Sequence, residues 1–397
     1  MKKKIYLVIL CGGRGQRISK ITKNIPKPMI KFNGIPFLQH LINFYSKYNF
    51  DKIILLAGYK GEIIKKNFHK RKFNLIDTEC IIEKKPLGTA GCINLIPHEV
   101  EKFYLVNGDS FFNFEFEKFM KFCANKKSAM VLTPNINYKS NKKLSSLNIN
   151  KKKKIIFSQR KKFMNAGIYY FKKKFIKKFF KKLSINGNAS LEEHVLPNLI
   201  KKKKIDGMKF KGDFVDIGLY KNIKIAKRLF QKYIKPAIFL DRDGVIFKDT
   251  GYVNSLKRVI WTKNIFLGLK KLKIYNKFFI TNQAGIGRGL YSEKSFINFQ
   301  LKLKKIFISK KIFINDIEYC PHHPTYGKGL YKKKCSCRKP GNLMIRKILK
   351  RWPVNIKKSF LIGDNFKDMQ AAKKSNISFI KKDTNTNFKN VIALIKK

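Results

Sequence analysis

The chain has 397 residues, more than one hydrophobic core usually supports, so its length predicts two domains. Its 89 basic and 24 acidic residues give a net charge of +65, yet only 11 of the basic residues are arginine and the lysines occur in every segment. Because nucleic-acid interfaces usually concentrate arginine on one face, we expect no specific nucleic-acid partner. The charge instead favours anionic small-molecule substrates.

The N-terminal segment begins with Met-Lys-Lys-Lys and continues as an apolar run, Ile5–Leu10. This run is shorter than the apolar region of a secretion signal, and it is typical of a buried strand. No apolar stretch approaches the ~20 residues that a membrane span needs, so we expect no membrane partner. We expect a cytoplasmic protein with reduced thiols, which argues against a disulfide framework. The oligomeric state stays open.

Short apolar strands alternate with amphipathic helical stretches in both halves, which predicts layered α/β domains with largely parallel sheets. In the first half we predict strands at Ile5–Leu10, Lys52–Ala57, Phe103–Val106 and Ala166–Phe171. We predict helices at Phe37–Tyr48, Phe114–Cys123, Leu191–Leu199 and Tyr220–Gln231. A fresh strand begins after Lys235-Pro236. The sequence therefore predicts two domains, residues 1–233 and 236–397.

The first predicted strand leads into Cys11-Gly-Gly-Arg-Gly-Gln-Arg17. The glycines Gly12, Gly13 and Gly15 let backbone N–H groups approach a phosphate chain, and Arg14 and Arg17 add positive charge. Glycine-rich turns are common after strands, so this loop alone is a weak signal.

Four further segments of the first half support a phosphate site. Lys27 stands between two prolines, and Gly88 belongs to Leu87-Gly-Thr-Ala-Gly91, which can open a helix against a base or ribose. Asp109 ends a predicted strand, and Asp216 stands in Asp213-Phe-Val-Asp-Ile-Gly218. Two aspartates that meet at strand ends would hold Mg²⁺ on an anionic triphosphate.

Together these motifs resemble those of the sugar-nucleotidylyltransferases over roughly residues 1–230. They stand here as Gly12–Ile18, Pro26–Met29, Leu87–Ala90, Gly108-Asp109, Asn165–Tyr169, Leu191–Glu193 and Asp216–Gly218. Gln16 stands where the family has threonine, and the family's Glu-Lys before Asn165 is absent.

The resemblance implies a Rossmann-like, GT-A-like transferase in which a sugar 1-phosphate attacks the α-phosphate of an NTP and pyrophosphate leaves. It implies catalytic roles for Arg17 and Lys27. It implies that the nucleotide is bound by Gly12, Gly13, Arg14, Gly15 and Gly88. It also implies that Asp109 and Asp216 bind Mg²⁺ and that Gly167 and Glu192 bind the sugar.

The second half opens with Ile238-Phe-Leu-Asp241-Arg-Asp243-Gly-Val, which places two carboxylates just past a buried strand. One carboxylate can attack phosphorus while the other acts as general acid and base, although acidic strand ends are often only solvated turns. Further chain segments supply a hydroxyl, two cations and more acid at Thr281, at Arg338-Lys339 and at Asp364–Asp368. This ordered set is similar to the haloacid-dehalogenase-like hydrolases.

Two short pairs, Cys320-x-His322 and Cys335-x-Cys337, offer four ligands for a closed tetrahedral Zn²⁺. The alternative is a loop with free thiols. We expect His323 to be a neighbour of this site and not a ligand.

With these pairs, residues 236–397 closely resemble the D,D-heptose 1,7-bisphosphate phosphatases and the histidinol-phosphatase group. The resemblance implies a haloacid-dehalogenase-like fold in which Asp241 is the nucleophile and Asp243 the proton donor. Mg²⁺ would bind Asp241, Asp364 and the backbone carbonyl of Asp243, and the Zn²⁺ would be structural. The substrate would contact Asp249, Thr250, Gly251, Tyr252, Thr281, Asn282, Gln283, Arg338 and Lys339.

Only 37 residues separate Asp243 from Thr281, which leaves no room for a large cap. A phosphatase that removes the 7-phosphate of a heptose 1,7-bisphosphate leaves a heptose 1-phosphate, a substrate type for the first half. The resemblances therefore imply a bifunctional enzyme on a nucleotide-heptose route to surface polysaccharide, with GMP as the expected nucleotidyl group.

Two alternatives remain at this point. The first half could act on a hexose 1-phosphate and the second on histidinol phosphate. The chain could also be a basic zinc protein that acts on nucleic-acid ends, since some end-processing phosphatases share Asp-x-Asp-Gly.

Overall fold

A computed structural model describes residues 4–135, 143–160, 162–182, 188–382 and 387–396. Two sheets form the framework of these residues, and helices cover both faces of each sheet. None of the described helices is long and apolar enough to cross a bilayer. The predicted architecture of two three-layer α/β units is confirmed.

The first half contains fourteen strands in its described part. In chain order they are β1 Tyr6–Cys11, β2 Lys31–Phe32, β3 Ile35–Pro36, β4 Lys52–Ala57, β5 Lys72–Phe73, β6 Ile76–Ile82, β7 Lys102–Asn107, β8 Ser110–Asn113, β9 Ser128–Pro134, β10 Leu147–Ile149, β11 Ile155–Phe157, β12 Phe163–Lys172, β13 Asp206–Lys209 and β14 Asp213–Asp216. The large sheet has the order β11-β10-β12-β7-β1-β4-β6-β5. In addition, β9 pairs with β12, β13 pairs with β9, and β8 pairs with β14 in a separate sheet.

The helices of the first half lie on both faces of the large sheet. They are α1 Ser19–Thr22, α2 Phe37–Tyr45, α3 Gly61–Phe68, α4 Gly88–Gly91, α5 Phe116–Cys123, α6 Lys173–Lys182, α7 Leu196–Lys201 and α8 Tyr220–Gln231. A π-helical turn, Leu191–Val195, precedes α7. The helix predicted over Leu191–Leu199 is divided at this point because Pro197 has no N–H with which to continue an α-helix.

The second half is a five-stranded parallel sheet of order β17-β16-β15-β18-β19. Its strands are β15 Ala237–Leu240, β16 Asn276–Asn282, β17 Asp316–Cys320, β18 Phe360–Gly363 and β19 Ser378–Lys381. Its helices are α9 Ile265–Lys271, α10 Ala284–Gly287, α11 Glu293–Ser309, α12 Leu343–Arg351, α13 Phe366–Lys373 and α14 Phe388–Lys396. The segment between Asp243 and Thr281 holds α9, which packs in the core, and no cap domain is inserted there.

A seam of apolar and polar contacts joins the two halves. Leu75 of the first half packs in the core of the second, and Phe313 of the second packs against the core of the first. Between these two residues lies buried Asn74, which makes two hydrogen bonds across the seam. Its backbone N–H donates to Asp316 Oδ1 at 3.0 Å, and its side chain donates to the backbone oxygen of Ile314 at 2.8 Å. Separating the halves would leave these buried groups unpaired.

The most deeply buried cation of the seam is Lys304 of α11, which is 1% exposed. Its ammonium group donates to the backbone oxygen of Ser46, the residue that ends α2, at 2.5 Å. Burial lowers the pKa of Lys304 to about 7, although the charge of Asp316 opposes this shift. The folded protein therefore releases this proton at a lower pH than the unfolded chain does.

We expect the Lys304→Met variant to lose the pH dependence that Lys304 gives to the free energy of unfolding. Between about pH 7 and pH 10 the unfolded lysine still holds its proton while the folded one has released it, so the free energy of unfolding of the wild type rises with pH. The limit is roughly 1.4 kcal/mol per pH unit. Urea denaturation at several pH values measures the difference between wild type and variant. The control is Lys302→Met, which changes an exposed lysine of the same helix. Parallel plots of the free energy of unfolding against pH for wild type and Lys304→Met would contradict the lowered pKa of Lys304.

Candidate active sites

The first site is a cleft of about 1500 Å³ at the carboxyl ends of β1, β4 and β7, where a parallel sheet collects the loops that follow its strands. The cleft brings together ten of the eleven site residues predicted in this half. They are Gly12, Gly13, Arg14, Arg17, Lys27, Gly88, Asp109, Gly167, Glu192 and Asp216.

Gly15 is the exception, because it shapes the loop and does not line the cleft. Its φ of 68° is left-handed, and its carbonyl oxygen accepts from Ile18 N at 2.9 Å and from Thr22 Oγ1 at 3.2 Å. A Cβ at this position would lie 3.1 Å from the Thr22 side chain. Gly15 therefore shapes the turn of this loop, and its contact with the nucleotide stays a prediction.

A cation and two carboxylates form the polar centre of this cleft. Lys27 Nζ lies 2.6 Å from Asp109 Oδ2, and the pairing of β14 with β8 sets Asp216 beside Ser110. Burial lowers the pKa of Lys27, but the charges of Asp109 and Asp216 outweigh it and raise the pKa. Two aspartates far apart in sequence therefore both act on Lys27, and their binding of Mg²⁺ stays a prediction.

The other end of the cleft is built around Glu192, at the start of the π-helical turn. Its carboxylate accepts from Thr89 Oγ1 at 3.0 Å and from Asn107 Nδ2 at 3.2 Å. Gly167 has a φ of 72°, and a Cβ there would lie 2.9 Å from the Asn107 amide. Glycine is therefore required where β12 passes this pocket.

Glu83 is a cleft residue that the sequence motifs did not reveal. It follows β6, its Oε2 accepts from Leu87 N at 3.0 Å, and its Oε1 lies 2.1 Å from the position of a Cβ on Gly58. Its acidic character just past a strand was the available signal, but the strand β6 was itself not predicted.

The second site lies at the carboxyl ends of β15, β16 and β18. Carboxylate oxygens of Asp241, Asp364 and Asp368 lie within 4.8 Å of one another. Lys339 Nζ lies 2.7 Å from Asp241 Oδ2 and 2.5 Å from Asp368 Oδ1. Lys339 and Asp368 are almost fully buried, with 3% and 1% of their surfaces exposed.

Charge is unbalanced in this cluster, because three carboxylates face one ammonium group. Burial raises the pKa of Asp241 to about 8 against the effect of Lys339, and Asp368 adds to the rise. Burial would lower the pKa of Lys339, but Asp241 and Asp368 together raise it. The surplus negative charge and the oxygen donors suit a divalent cation such as Mg²⁺. Glycine at position 244 leaves space for the Asp364 carboxylate, since a Cβ there would lie 2.0 Å from Asp364 Oδ2.

Asp243 contributes no carboxylate to this cluster, and its predicted contribution to the Mg²⁺ site is its backbone carbonyl. Its oxygens accept from Arg242 Nη2 at 2.8 Å, from Gln283 Nε2 at 2.8 Å and from Thr281 Oγ1 at 3.3 Å. Arg242 is fully buried and requires a counter-ion, which Asp243 supplies. Asp368, four residues beyond Asp364, takes the third place in the cluster.

The four predicted zinc ligands converge beside this cluster. Cys320 Sγ lies 3.5 Å from Cys335 Sγ and 3.2 Å from Cys337 Sγ, and His322 Nδ1 lies 3.3 Å from Cys337 Sγ. These distances are near the edges of a tetrahedron around a metal ion and much longer than a disulfide bond. All seven cysteines are free. His323 turns away, and its Nδ1 accepts from the backbone N–H groups of residues 325 and 326.

The loop that leaves this Cys/His cluster delivers Lys339 to the carboxylates. Asn282, at the end of β16, accepts from Lys339 N at 2.9 Å and donates to Lys339 O at 3.1 Å. Arg338 donates to the backbone oxygen of His322 at 3.3 Å. Asn282 and the Cys/His cluster therefore fix the loop on both sides of the lysine.

The predicted substrate turn Asp249–Tyr252 is exposed and internally braced. Asp249 Oδ1 accepts from Gly251 N at 2.9 Å, and the Arg258 guanidinium donates to the carbonyl oxygens of Thr250 and Gly251 at 3.0 and 2.7 Å. The negative charge of Asp249 contributes to a raised pKa of Asp364, after burial and Asp368. The turn therefore lies close to the carboxylate cluster.

Comparison with known proteins finds a family for each half of the chain. Residues 6–259 match the nucleotidyl transferase family, and residues 309–382 match the haloacid dehalogenase-like hydrolases. The chain is also 38% identical to the D-glycero-beta-D-manno-heptose-1,7-bisphosphate 7-phosphatase of Rhodopseudomonas palustris over 145 residues, 36% of this chain and 81% of the relative. The chain belongs to the nucleotidyl transferases and to the heptose-bisphosphate phosphatases. It is an enzyme with a transferase half and a phosphatase half, as the motifs predicted.

Two further proteins are similar to these halves. The D-glycero-alpha-D-manno-heptose-1,7-bisphosphate 7-phosphatase of Photorhabdus laumondii is 39% identical over 141 residues, 35% of this chain and 77% of that protein. The crystal structure of HddC from Yersinia pseudotuberculosis, 27% identical, covers 57% of this chain and 99% of its own with a TM-score of 0.47.

Proposed function

We propose that the phosphatase half, residues 236–397, hydrolyses the 7-phosphate of D-glycero-D-manno-heptose 1,7-bisphosphate. The transferase half, residues 1–233, then joins the resulting heptose 1-phosphate to a nucleotidyl group. The observation that carries this proposal is the presence of both sites in one chain, because the product of one reaction is the substrate type of the other. The names of the two phosphatase relatives favour a heptose over histidinol phosphate.

In the phosphatase reaction, Asp241 attacks phosphorus and forms an aspartyl-phosphate, while Asp243 gives a proton to the leaving sugar oxygen. Asp243 then takes a proton from the water that hydrolyses the intermediate. Arg242 and Gln283 orient Asp243 for both steps, and Lys339 balances the charge of the attacked phosphoryl group.

The metal ions of this half have separate tasks. Asp241, Asp364, Asp368 and the backbone carbonyl of Asp243 would hold Mg²⁺, which supplies positive charge at the phosphoryl oxygens. Three thiolates and one imidazole suit Zn²⁺, and four protein ligands leave it no open position for chemistry. The zinc therefore shapes the loop that presents Arg338 and Lys339.

In the transferase reaction, an oxygen of the sugar 1-phosphate attacks the α-phosphorus of an NTP and pyrophosphate leaves. Arg14, Arg17 and Lys27 stabilise charge on the phosphates, and Asp109 and Asp216 would hold a second Mg²⁺. Glu192 and the Asn107 amide, which lie together at the far end of the cleft, would bind sugar hydroxyls.

Glu83 supports guanine as the base. A carboxylate can only accept hydrogen bonds, and guanine presents two adjacent N–H donors on its pairing edge. Adenine and cytosine place an acceptor nitrogen beside their amino group, and uracil has one N–H between two acceptor oxygens. We therefore propose GTP as the nucleotide, which with the sugar phosphates makes the cytoplasm the place of reaction.

The two activities should be separable, because each half has its own carboxylates. Asp241→Asn should abolish phosphate release from the bisphosphate and leave nucleotidyl transfer to supplied heptose 1-phosphate intact, and Asp109→Ala should do the converse. Phosphate release, pyrophosphate release with a panel of NTPs, and the mass of the nucleotide sugar measure the outcome. Loss of both activities from either change in a folded protein would contradict two independent sites.

Cys335→Ser should lower the zinc content from one ion per chain and reduce the thermal stability, because one ligand of a closed site is lost. Elemental analysis and thermal denaturation measure these effects. The control is Cys92→Ser, which removes a thiol of the transferase cleft and should leave the zinc in place. A zinc-free wild type with full phosphatase activity would disprove the zinc assignment.

A further inference from the structure

An arginine at the rim of the phosphatase site, Arg288, has no part in the mechanism above. It ends α10, the short helix that begins just after Thr281–Gln283. Its guanidinium carbon lies 5.4 Å from the ring centre of Tyr252 and 5.1 Å from that of Tyr326, and its Nη1 donates to the Tyr252 hydroxyl. Arg288 therefore bridges the substrate turn Asp249–Tyr252 and the loop between His322 and Cys335.

The position of Tyr252 is fixed by an unusual backbone. Its φ of 49° is left-handed, which a bulky residue rarely adopts, and Gly251 before it has a φ of 76°. The Arg258 guanidinium holds the carbonyl oxygens on both sides of this bend. Backbone strain that is held in this way is common at ligand sites, and here it aims the ring at Arg288.

Other cations lie at the same rim. Arg338 donates to the backbone oxygen of His322, next to His323, at 3.3 Å. Arg338 adjoins Lys339, which lies on the nucleophile Asp241. The rim therefore presents several cations beside two exposed tyrosine rings at the entrance to the reacting group.

The charge of a bisphosphate substrate matches this arrangement. Lys339 and the cation that the carboxylates would hold would meet one phosphate, which leaves the other with a charge of about −1.5 to −2 at pH 7. A guanidinium is well suited to such a group because its planar fork can donate two parallel hydrogen bonds to phosphate oxygens. The tyrosine rings keep that fork in place, so little side-chain freedom is lost on binding.

We propose that Arg288, held between Tyr252 and Tyr326, binds the phosphate that is not hydrolysed and so selects bisphosphates over monophosphates. This inference rests on the proposed function of the phosphatase half. It assigns the sugar-bisphosphate preference to one side chain outside the reacting centre.

The test compares wild type and Arg288→Ala on heptose 1,7-bisphosphate, heptose 7-phosphate and p-nitrophenyl phosphate. Loss of a charged hydrogen-bond partner should lower kcat/KM for the bisphosphate roughly tenfold to hundredfold, mainly through KM. Both monophosphates should change little, because they lack the second phosphate. Arg346→Ala, which removes an exposed arginine of α12, is the matched control and should leave all three substrates unaffected.

Two results would overturn the inference. Equal losses on all three substrates would show that Arg288 only braces the two loops, and an unchanged bisphosphate KM would show that it does not reach the substrate. Several other sugar bisphosphates are assayed beside their monophosphates. If the wild type ignores the heptose, the proposed substrate is wrong, and the effect of Arg288→Ala on the remaining pairs still decides the inference.

Discussion

The phosphatase half depends on one buried ion cluster, in which the Lys339 ammonium lies between Asp241 and Asp368. Three carboxylates outnumber the one lysine, and this excess of negative charge suits a bound divalent cation. The lysine must also reach the nucleophile from a loop. Asn282 and the Cys/His cluster fix that loop on either side. The Cys/His cluster thus positions Lys339 and takes no part in the reaction itself.

The two halves are joined through buried polar groups and not only through a linker. Asp316 accepts from Asn74 of the transferase half and, through its other oxygen, from the Arg351 and Trp352 side chains of its own half. The Asn74 N–H would lose this acceptor if the halves moved apart, while Arg351 and Trp352 hold Asp316 in place from its own half. The seam therefore holds the two cores together, while each site keeps its own set of carboxylates.

Local signals predicted much of this protein. The apolar run Lys52–Ala57 and the amphipathic pattern Tyr220–Gln231 match β4 and α8 in full, because burial on one face or two leaves a direct trace in sequence. Features that depend on distant partners were missed. The acidic motif Asp364–Asp368 was predicted, but the position of Asp368 beside Lys339 was not. Glu83 enters the cleft because Gly58 leaves it space. No periodicity encodes such meetings.

The most direct test of this account is the turnover of Lys339→Ala. Removal of a preorganised cation from the attacked phosphoryl group should lower the phosphatase kcat by roughly 10²–10³. Zinc content and nucleotidyl transfer should persist, which shows that the chain is folded. Lys339→Arg should restore little, because a planar fork does not replace a point charge. Near-normal kcat in Lys339→Ala would contradict the central role of the loop-held lysine.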